Sequence, residues 1–199
     1  GKGGHAAMPD QCIDPIFIAS QLISAFQSIP SRTTHPVDSV VISITQIKAG
    51  ETFNIIPDSV KMCGTVRTFS TKTQNETLSS MNRITEGICS SFGASFKLNY
   101  LKGYPATVNS SNETEISAKT VIDLLGEDKL IRNPQPSMGS EDFAYMLKEK
   151  PGCYVWLGIG NTENESGCML HSSNYDFNDK VLPIGASYWV KLVENTLNF

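Results

Sequence analysis

Residues 40–67 read VVISITQIKAGETFNIIPDSVKMCGTVR, and this stretch decides the predicted fold. Residues 40–47 are rich in β-branched side chains, which favour a strand, and Gly50 closes that strand into a turn. Apolar and polar residues largely alternate over 60–67, which predicts a second strand. Because successive side chains of a strand point to opposite faces, Arg67 is expected on the face away from the apolar residues.

Helical patterns flank these two strands. Upstream, Asp14-Pro15 is typical of a helix start, with Asp as N-cap and Pro at the first helical position, and apolar residues follow at helical spacing until Pro30. Downstream, an apolar stripe over 78–88 predicts a second helix, and alternation over 96–100 predicts another strand. With a strand ending near Gly1, the order becomes βαββαβ, the arrangement of a ferredoxin-like layer in an α/β protein.

A boundary is predicted near residues 103–108, where Gly103-Tyr104-Pro105 interrupts the pattern, so we divide the chain into residues 1–106 and 107–199. The second part has few strands for a sheet of its own and is interpreted as the return half of an α/β sheet begun upstream. Its predicted elements are helices near 113–125, 141–148 and 183–197 and a strand buried on both faces at 153–157.

Composition excludes several classes of protein. The net charge of -4, without clustered basic residues, argues against a nucleic-acid-binding protein. No apolar run reaches the roughly 18 residues of a membrane helix, and residues 1–10 carry no secretory signal. The five cysteines are odd in number and include no C-x-x-C pair, which disfavours a disulfide framework or a cysteine zinc site. We therefore expect free thiols and a cytoplasmic location.

Two of the three histidines are candidates for chemistry. His171 follows Leu170 and precedes Asp176 and Asp179, either of which could orient its ring, so it is a candidate metal ligand. The alternative is a histidine in a surface loop. His5 lies among glycines and alanines, whose small size leaves room for a ligand or another subunit. Its alternative is a turn histidine bonded to the backbone.

Two further sites are candidates for binding an anion. Gly139 and Ser140 precede a predicted helix, whose free N–H groups favour negative charge, although Glu141 and Asp142 could instead be ordinary first-turn acids. Asn54 in its turn and Arg67 on its strand could together hold a carboxylate, with the arginine making a forked contact. The alternative is an unrelated turn asparagine and surface arginine.

Five motifs in order give a more specific indication, and through them the chain resembles the amidohydrolase branch of the aminoacylase/carboxypeptidase metallopeptidases. Hippurate hydrolase and the plant auxin-conjugate hydrolases belong to that branch. The resemblance covers essentially the whole chain. The motifs are GKGGHAAMP from Gly1, NIIPD from Asn54, GTVRTF from Gly64, MGSEDF from Met138, and LH followed by DFND and LPIG from Leu170.

The resemblance implies that residues 1–106 form the lid or dimerisation domain and 107–199 the C-terminal part of the catalytic domain. It implies hydrolysis of amide bonds in N-acyl amino acids by a homodimer that uses two divalent metal ions, zinc or manganese. His171 matches the last metal ligand, and His5 matches the lid histidine that polarises the scissile carbonyl in the partner subunit's active site. The remaining matches are Asn54 and Arg67 to the pair that binds the substrate carboxylate, and Gly139 and Ser140 to a loop that lines the pocket.

The sequence departs from the family pattern in two respects. The other metal ligands and the glutamate that acts as general base lie upstream of the lid in the family and are not in this sequence. We therefore expect the chain to be a fragment that is inactive alone and binds no metal. Asp10 also stands where a histidine is common. The competing hypothesis is a non-catalytic module that dimerises or binds acyl amino acids without turnover.

Overall fold

The computed structural model describes residues 1–159 and 170–197. The chain divides into two compact units, the first made of residues 1–106 with 138–140 and the second of the remaining described residues from 107 onward. The functional roles given to residues 1–106 and 107–199 stay a prediction. The mixed α/β class predicted from the sequence is confirmed by the elements of both units.

Helices account for most of the regular structure. Within the described residues the α-helices are α1 Pro15–Phe26, α2 Thr71–Ser91, α3 Ser111–Leu125, α4 Phe143–Glu149 and α5 Leu182–Leu197. The strands in the same ranges are β1 Gly4–His5, β2 Val40–Ala49, β3 Ile55–Ile56 and β4 Val60–Thr68. Short helical turns lie at Pro9–Gln11, Ile29–Thr33, Glu127–Lys129 and Asp179–Val181.

The two strands that decided the prediction are present and pair with each other. β2 and β4 are antiparallel, with Val40 opposite Thr68 at one end and Ala49 opposite Val60 at the other, and a bulge interrupts the register between Ile44 and Gln46. The two short strands, β1 and β3, form a separate antiparallel pair. The predicted single layer is therefore split into two small two-stranded sheets.

The predicted helix start at Asp14 is confirmed. Its Oδ1 accepts hydrogen bonds from the backbone nitrogens of Ile16 at 2.8 Å and Phe17 at 3.4 Å, which satisfies two of the donors that a helix leaves unpaired at its first turn. α1 ends at Phe26, before the predicted limit at Pro30, and the chain continues into a wider turn over Ile29–Thr33.

The core of the first unit lies between α1, α2 and the inner face of β2. Phe26 and Ile29 are among its most deeply buried side chains, at 3% and 1% exposure. The helical spacing of the apolar residues in α1 and α2 explains the arrangement, because such spacing puts them on one face of each helix. The buried members of this core are Ile18, Leu22, Phe26, Ile29, Ile42, Met81 and Cys89.

The prediction of a strand over residues 96–100 was wrong. These residues form no regular strand, although Leu98 and Tyr100 do pack against the core of the first unit. The alternating pattern therefore identified two partly buried side chains, but not the exposed Phe96 and not the backbone pairing. Burial alone produces such a pattern, whereas a strand also needs a neighbouring strand to hydrogen-bond with.

The prediction of a buried strand over residues 153–157 was also wrong. These residues form no strand, and the run is not buried, since Trp156 is 69% exposed. A side chain takes the place of a neighbouring strand. The Tyr154 nitrogen donates to Asn109 Oδ1 at 2.8 Å, and Asn109 Nδ2 donates to the Tyr154 carbonyl at 2.9 Å. The amide of Asn109 thus satisfies both backbone groups of Tyr154.

Helices α3 and α5 form the packed centre of the second unit. Ser117 Oγ and Tyr188 OH are 2.8 Å apart, and Asn195 Nδ2 donates to Thr120 Oγ1 at 3.3 Å and to Asp123 Oδ2 at 3.2 Å. In the part of the chain that the structure describes, no helix has both the length and the apolar character needed to cross a membrane.

Candidate functional site

The first two sequence motifs meet in the small β1–β3 sheet. His5 of β1 lies opposite Ile55 of β3, and the next residue, Ala6, donates its N–H to the carbonyl of Asn54 at 3.1 Å. The structure therefore brings together the backbone segments that carry His5 and Asn54, two of the predicted site residues, although 49 positions separate them in sequence.

The glycines of the first motif allow this close approach. A Cβ on Gly3 would lie 2.6 Å from the carbonyl oxygen of Ile56, and a Cβ on Gly4 would lie 2.6 Å from Cys12 Sγ. Real Cβ atoms do not come that close to their neighbours. At Gly3 the obstacle is backbone, so glycine is required there, whereas at Gly4 a side chain would have to displace the Cys12 thiol.

The His5 ring is oriented by its own turn. His5 Nδ1 accepts a hydrogen bond from the backbone nitrogen of Ala7 at 3.0 Å, and the residue is exposed. A neutral imidazole carries one proton, so when Nδ1 accepts, Nε2 holds the hydrogen and is a donor. The structure thus shows the turn histidine bonded to the backbone that the sequence offered as the alternative, and a catalytic role for His5 stays a prediction.

Arg67 lies in the other sheet, on β4 opposite Val41 of β2, and is half-buried. Its Nη1 donates to the carbonyl of Val66 at 3.3 Å. Among residues 1–159 and 170–197, no carboxylate lies within ion-pair distance of its guanidinium. A half-buried cation in this environment is suited to an anion brought by a ligand.

Tyr100 interacts with the charge of this guanidinium and hydrogen-bonds with Gln74, and sequence reasoning missed both contacts. Burial raises the pKa of the Tyr100 hydroxyl, while a hydrogen bond with Gln74 and the positive charge of Arg67 act in the opposite direction. The only sequence signal was the alternation that placed Tyr100 on the inner face of its segment. No hydrogen bond joins the side chains of Asn54 and Arg67 in the described structure, so their action as a pair stays a prediction.

The loop before α4 is fixed by Glu141. Its Oε2 accepts from Tyr154 OH at 3.0 Å, and its Oε1 accepts from the Phe143 nitrogen at 3.4 Å. The hydrogen bond with Tyr154 lowers the pKa of the Glu141 carboxyl, and the same contact raises the pKa of Tyr154. Glu141 thus acts locally at the helix start, whereas pocket lining by Gly139 and Ser140, both exposed, stays a prediction.

His171 is exposed and has a φ of 72°, in the left-handed region that non-glycine residues adopt infrequently. It follows the stretch 160–169, which lies outside the described residues. Within the described ranges, no group of three or more His, Cys, Asp or Glu side chains could hold a metal ion. His171 therefore has no assembled set of co-ligands in this part of the chain, and its role as a metal ligand stays a prediction.

Comparison with known proteins places these motifs among hydrolases. A family model described as peptidase family M20/M25/M40 matches residues 7–195. Hippurate hydrolase of Campylobacter jejuni is 38% identical over 192 residues, covering 96% of this chain and 49% of that protein. IAA-amino acid hydrolase ILR1-like 2 of Arabidopsis thaliana is 38% identical over 194 residues, covering 94% of this chain and 43% of that protein.

A solved structure of a peptidase also matches this chain. The YXEP protein of Bacillus subtilis, described as a dinuclear metal binding peptidase, matches with a TM-score of 0.71 at 29% identity, covering 93% of this chain and 47% of that one. This chain spans about half the length of the curated relatives and of the structure that it matches.

Proposed function

Because this chain belongs to peptidase family M20/M25/M40, we propose that it is part of a metal-dependent hydrolase that cleaves the amide bond of N-acyl amino acids or related small amides with a carboxylate. The family match confirms the resemblance drawn from the five motifs. The observation that carries the proposal is the family match over residues 7–195. The names of two relatives, a hydrolase of hippurate and a hydrolase of an IAA–amino acid conjugate, support the substrate class.

Arg67 and Asn54 are proposed to hold the carboxylate of the substrate. The guanidinium of Arg67 is half-buried and has a backbone carbonyl rather than a carboxylate as its hydrogen-bond acceptor among the described side chains. Its planar fork matches the two oxygens of a carboxylate, and partial burial strengthens such a contact. Gly139 and Ser140 are proposed to line the pocket beside the bound substrate.

His5 is proposed to act on the scissile carbonyl in the active site of a partner subunit. The hydrogen bond from Ala7 to Nδ1 supports this role, because it directs the Nε2 proton outward as a donor. A donor placed where negative charge develops stabilises the transition state more than the ground state. His5 would therefore increase kcat without contributing to metal binding.

Two divalent ions, zinc or manganese, are proposed for the complete protein. When bound, such ions lower the pKa of a coordinated water and polarise the substrate carbonyl. The described residues alone do not form a site for them, because His171 would be a single ligand and each ion needs three or four. We propose that the other ligands come from residues outside this sequence, and that the 199-residue chain alone is inactive.

The complete protein is proposed to be a homodimer formed through residues 1–106, since His5 acts across subunits in this scheme. A small-molecule substrate is proposed from the names of the relatives, and a nucleic-acid partner is disfavoured because the net charge is -4 without clustered basic residues. The four described cysteines are free thiols, which supports a reducing compartment such as the cytoplasm.

The test is an assay of the full-length protein on benzoylated and acetylated amino acids and on the matching amides that lack the carboxylate. We expect hydrolysis of the carboxylate compounds, loss of activity with a chelator, and recovery with zinc or manganese. Binding of the same compounds without turnover, at full metal occupancy, would instead favour the non-catalytic module.

A further inference from the structure

The strand that carries His5 is held in part by Asp58, which the sequence analysis included only as the last residue of the NIIPD motif. Asp58 Oδ1 accepts a hydrogen bond from the Gly3 nitrogen at 2.8 Å. This contact joins segments 55 positions apart, so it attaches the glycine-rich motif to the Asn54–Asp58 motif.

The pairing of β1 with β3 is too short to fix the strand without help. It consists of Gly4 opposite Ile56 and His5 opposite Ile55. Isolated strand pairs are marginally stable even at hairpin length, and a two-residue pair is weaker still. The contacts at either end therefore help to determine where His5 lies. Before the pair these are the Asp58 carboxylate on Gly3 and a bridge of two backbone hydrogen bonds between Lys2 and Ile13, and after the pair the Asn54 carbonyl.

The fit around this strand is tight on both sides. A Cβ on Gly3 would lie 3.1 Å from Asp58 Oδ1, and a Cβ on Gly4 would lie 2.6 Å from Cys12 Sγ. The Cys12 thiol in turn lies 3.5 Å from the Met8 carbonyl, in the turn that follows His5. The Cys12 thiol thus packs close to Gly4, and the Asp58 carboxylate makes a polar contact with Gly3.

We propose that Asp58 is a positioning residue for His5: its carboxylate holds the Gly3 N–H and so fixes the strand from which His5 presents Nε2. The assignment rests on the role proposed above for His5. Asp58 itself touches no substrate. Its effect on turnover passes through the place and direction of the imidazole, because a misplacement of about 1 Å can lower a rate about 10²-fold.

The kinetic test uses the full-length protein and the variants H5A, D58A, D58N and the double variant H5A/D58A. We expect D58A to lower kcat about 10- to 100-fold with little change in KM, since a positioned donor contributes to the transition state. D58N keeps an Oδ1 acceptor for Gly3 and should recover most of that loss. D38A, which removes an exposed carboxylate from another loop, is the matched control.

The double variant separates positioning from general damage. If Asp58 acts through His5, D58A has no further effect on kcat in the H5A background. An equal fold-loss in both backgrounds would overturn the proposal, and so would a D58A variant with wild-type kcat beside an impaired H5A.

A structural measurement keeps this inference separate from the proposed function. The NMR shifts of the His5 ring and the exchange rate of the Gly3 amide should change in D58A and stay near wild type in D58N and D38A. If H5A leaves kcat unchanged, the proposed role of His5 fails, yet altered His5 shifts in D58A would still support the anchor. Unchanged His5 shifts in a folded D58A variant would reject it.

Discussion

Arg67 combines positive charge, partial burial and a neutral hydrogen-bond acceptor, and this combination is uncommon for a surface arginine. Its charge also lowers the pKa of Tyr100 against the larger effect of burial, so the two side chains are electrostatically coupled. A substrate carboxylate in this position would neutralise the charge and make a forked contact that a lysine could not reproduce.

We expect R67A to raise KM for an N-acyl amino acid about 10- to 100-fold with a smaller change in kcat, because hydrogen bonds to a charged group contribute about 1.5–3 kcal/mol. R67K should recover only part of the affinity. Steady-state kinetics of the full-length protein measure both, with R83A on the exposed face of α2 as control. Equal KM values for R67A and R83A would contradict carboxylate binding by Arg67.

The cysteines differ in environment and so in reactivity. Cys89 is 3% exposed, and burial raises the pKa of its thiol, whereas Cys63 on β4 is exposed. The thiolate is the reactive form, so iodoacetamide at neutral pH should alkylate Cys63 about 10-fold or more faster than Cys89. Mass spectrometry of peptides taken over time measures the rates. Similar rates would indicate that α2 opens readily from the core.

Single residues also show what the sequence could reveal about the site. His5 and Asn54 were identified by the motifs around them, and the requirement for glycine before His5 is visible in the sequence itself. The contact between Gly3 and Asp58 was not predictable, because it depends on how segments 55 residues apart fold onto each other. Nothing local marks which acceptor a backbone N–H will find.

Among the elements, helix starts and the β2–β4 pair were predicted well because their signals are local. Asp14 caps α1 through its own nearest neighbours, and β-branched residues favour the extended backbone of β2. The strand at 96–100 was predicted from alternating side chains and the strand at 153–157 from a continuous apolar run. A strand exists only when another strand supplies its hydrogen-bond partners, and sequence pattern carries no information about that neighbour.

Asn109, just before α3, holds the backbone of Tyr154, and this contact gives a prediction for the stability of the 153–157 run. N109A leaves the N–H and C=O of Tyr154 without their partner, and we expect a loss of about 1–2 kcal/mol in unfolding free energy. N109D keeps the acceptor for the Tyr154 N–H and should lose less. Urea unfolding and amide exchange at Tyr154 measure the effect.

The matched control for that series is N112A, because the Asn112 side chain is exposed and its hydrogen bond goes to the adjacent Glu113 at 3.3 Å. It should change stability by about 0.5 kcal/mol or less. If N109A and N112A have the same stability and the same exchange rate at Tyr154, the amide of Asn109 does not substitute for a strand.

The proposed active site draws on several parts of the molecule. His5 is proposed to act in another subunit, whereas His171 and the remaining metal ligands, which lie outside this sequence, are proposed to hold the ions of its own subunit. Such a scheme makes each variant lose a different function. Elemental analysis should show that H171A has lost metal and that H5A has kept it, although H5A has a lower kcat. In a mixed dimer of the two variants, each defect lies on a different subunit.

This separation predicts that two inactive variants restore activity when combined. In a two-fold dimer of H5A with H171A, the H171A subunit supplies a working His5 to the intact metal site of the H5A subunit. Equal mixing makes about half of the dimers mixed, each with one complete site, so we expect about a quarter of wild-type activity after subunit exchange. Co-purification through two different tags verifies the mixed dimer. Verified mixed dimers without recovered turnover would show that His5 does not act across the subunit boundary.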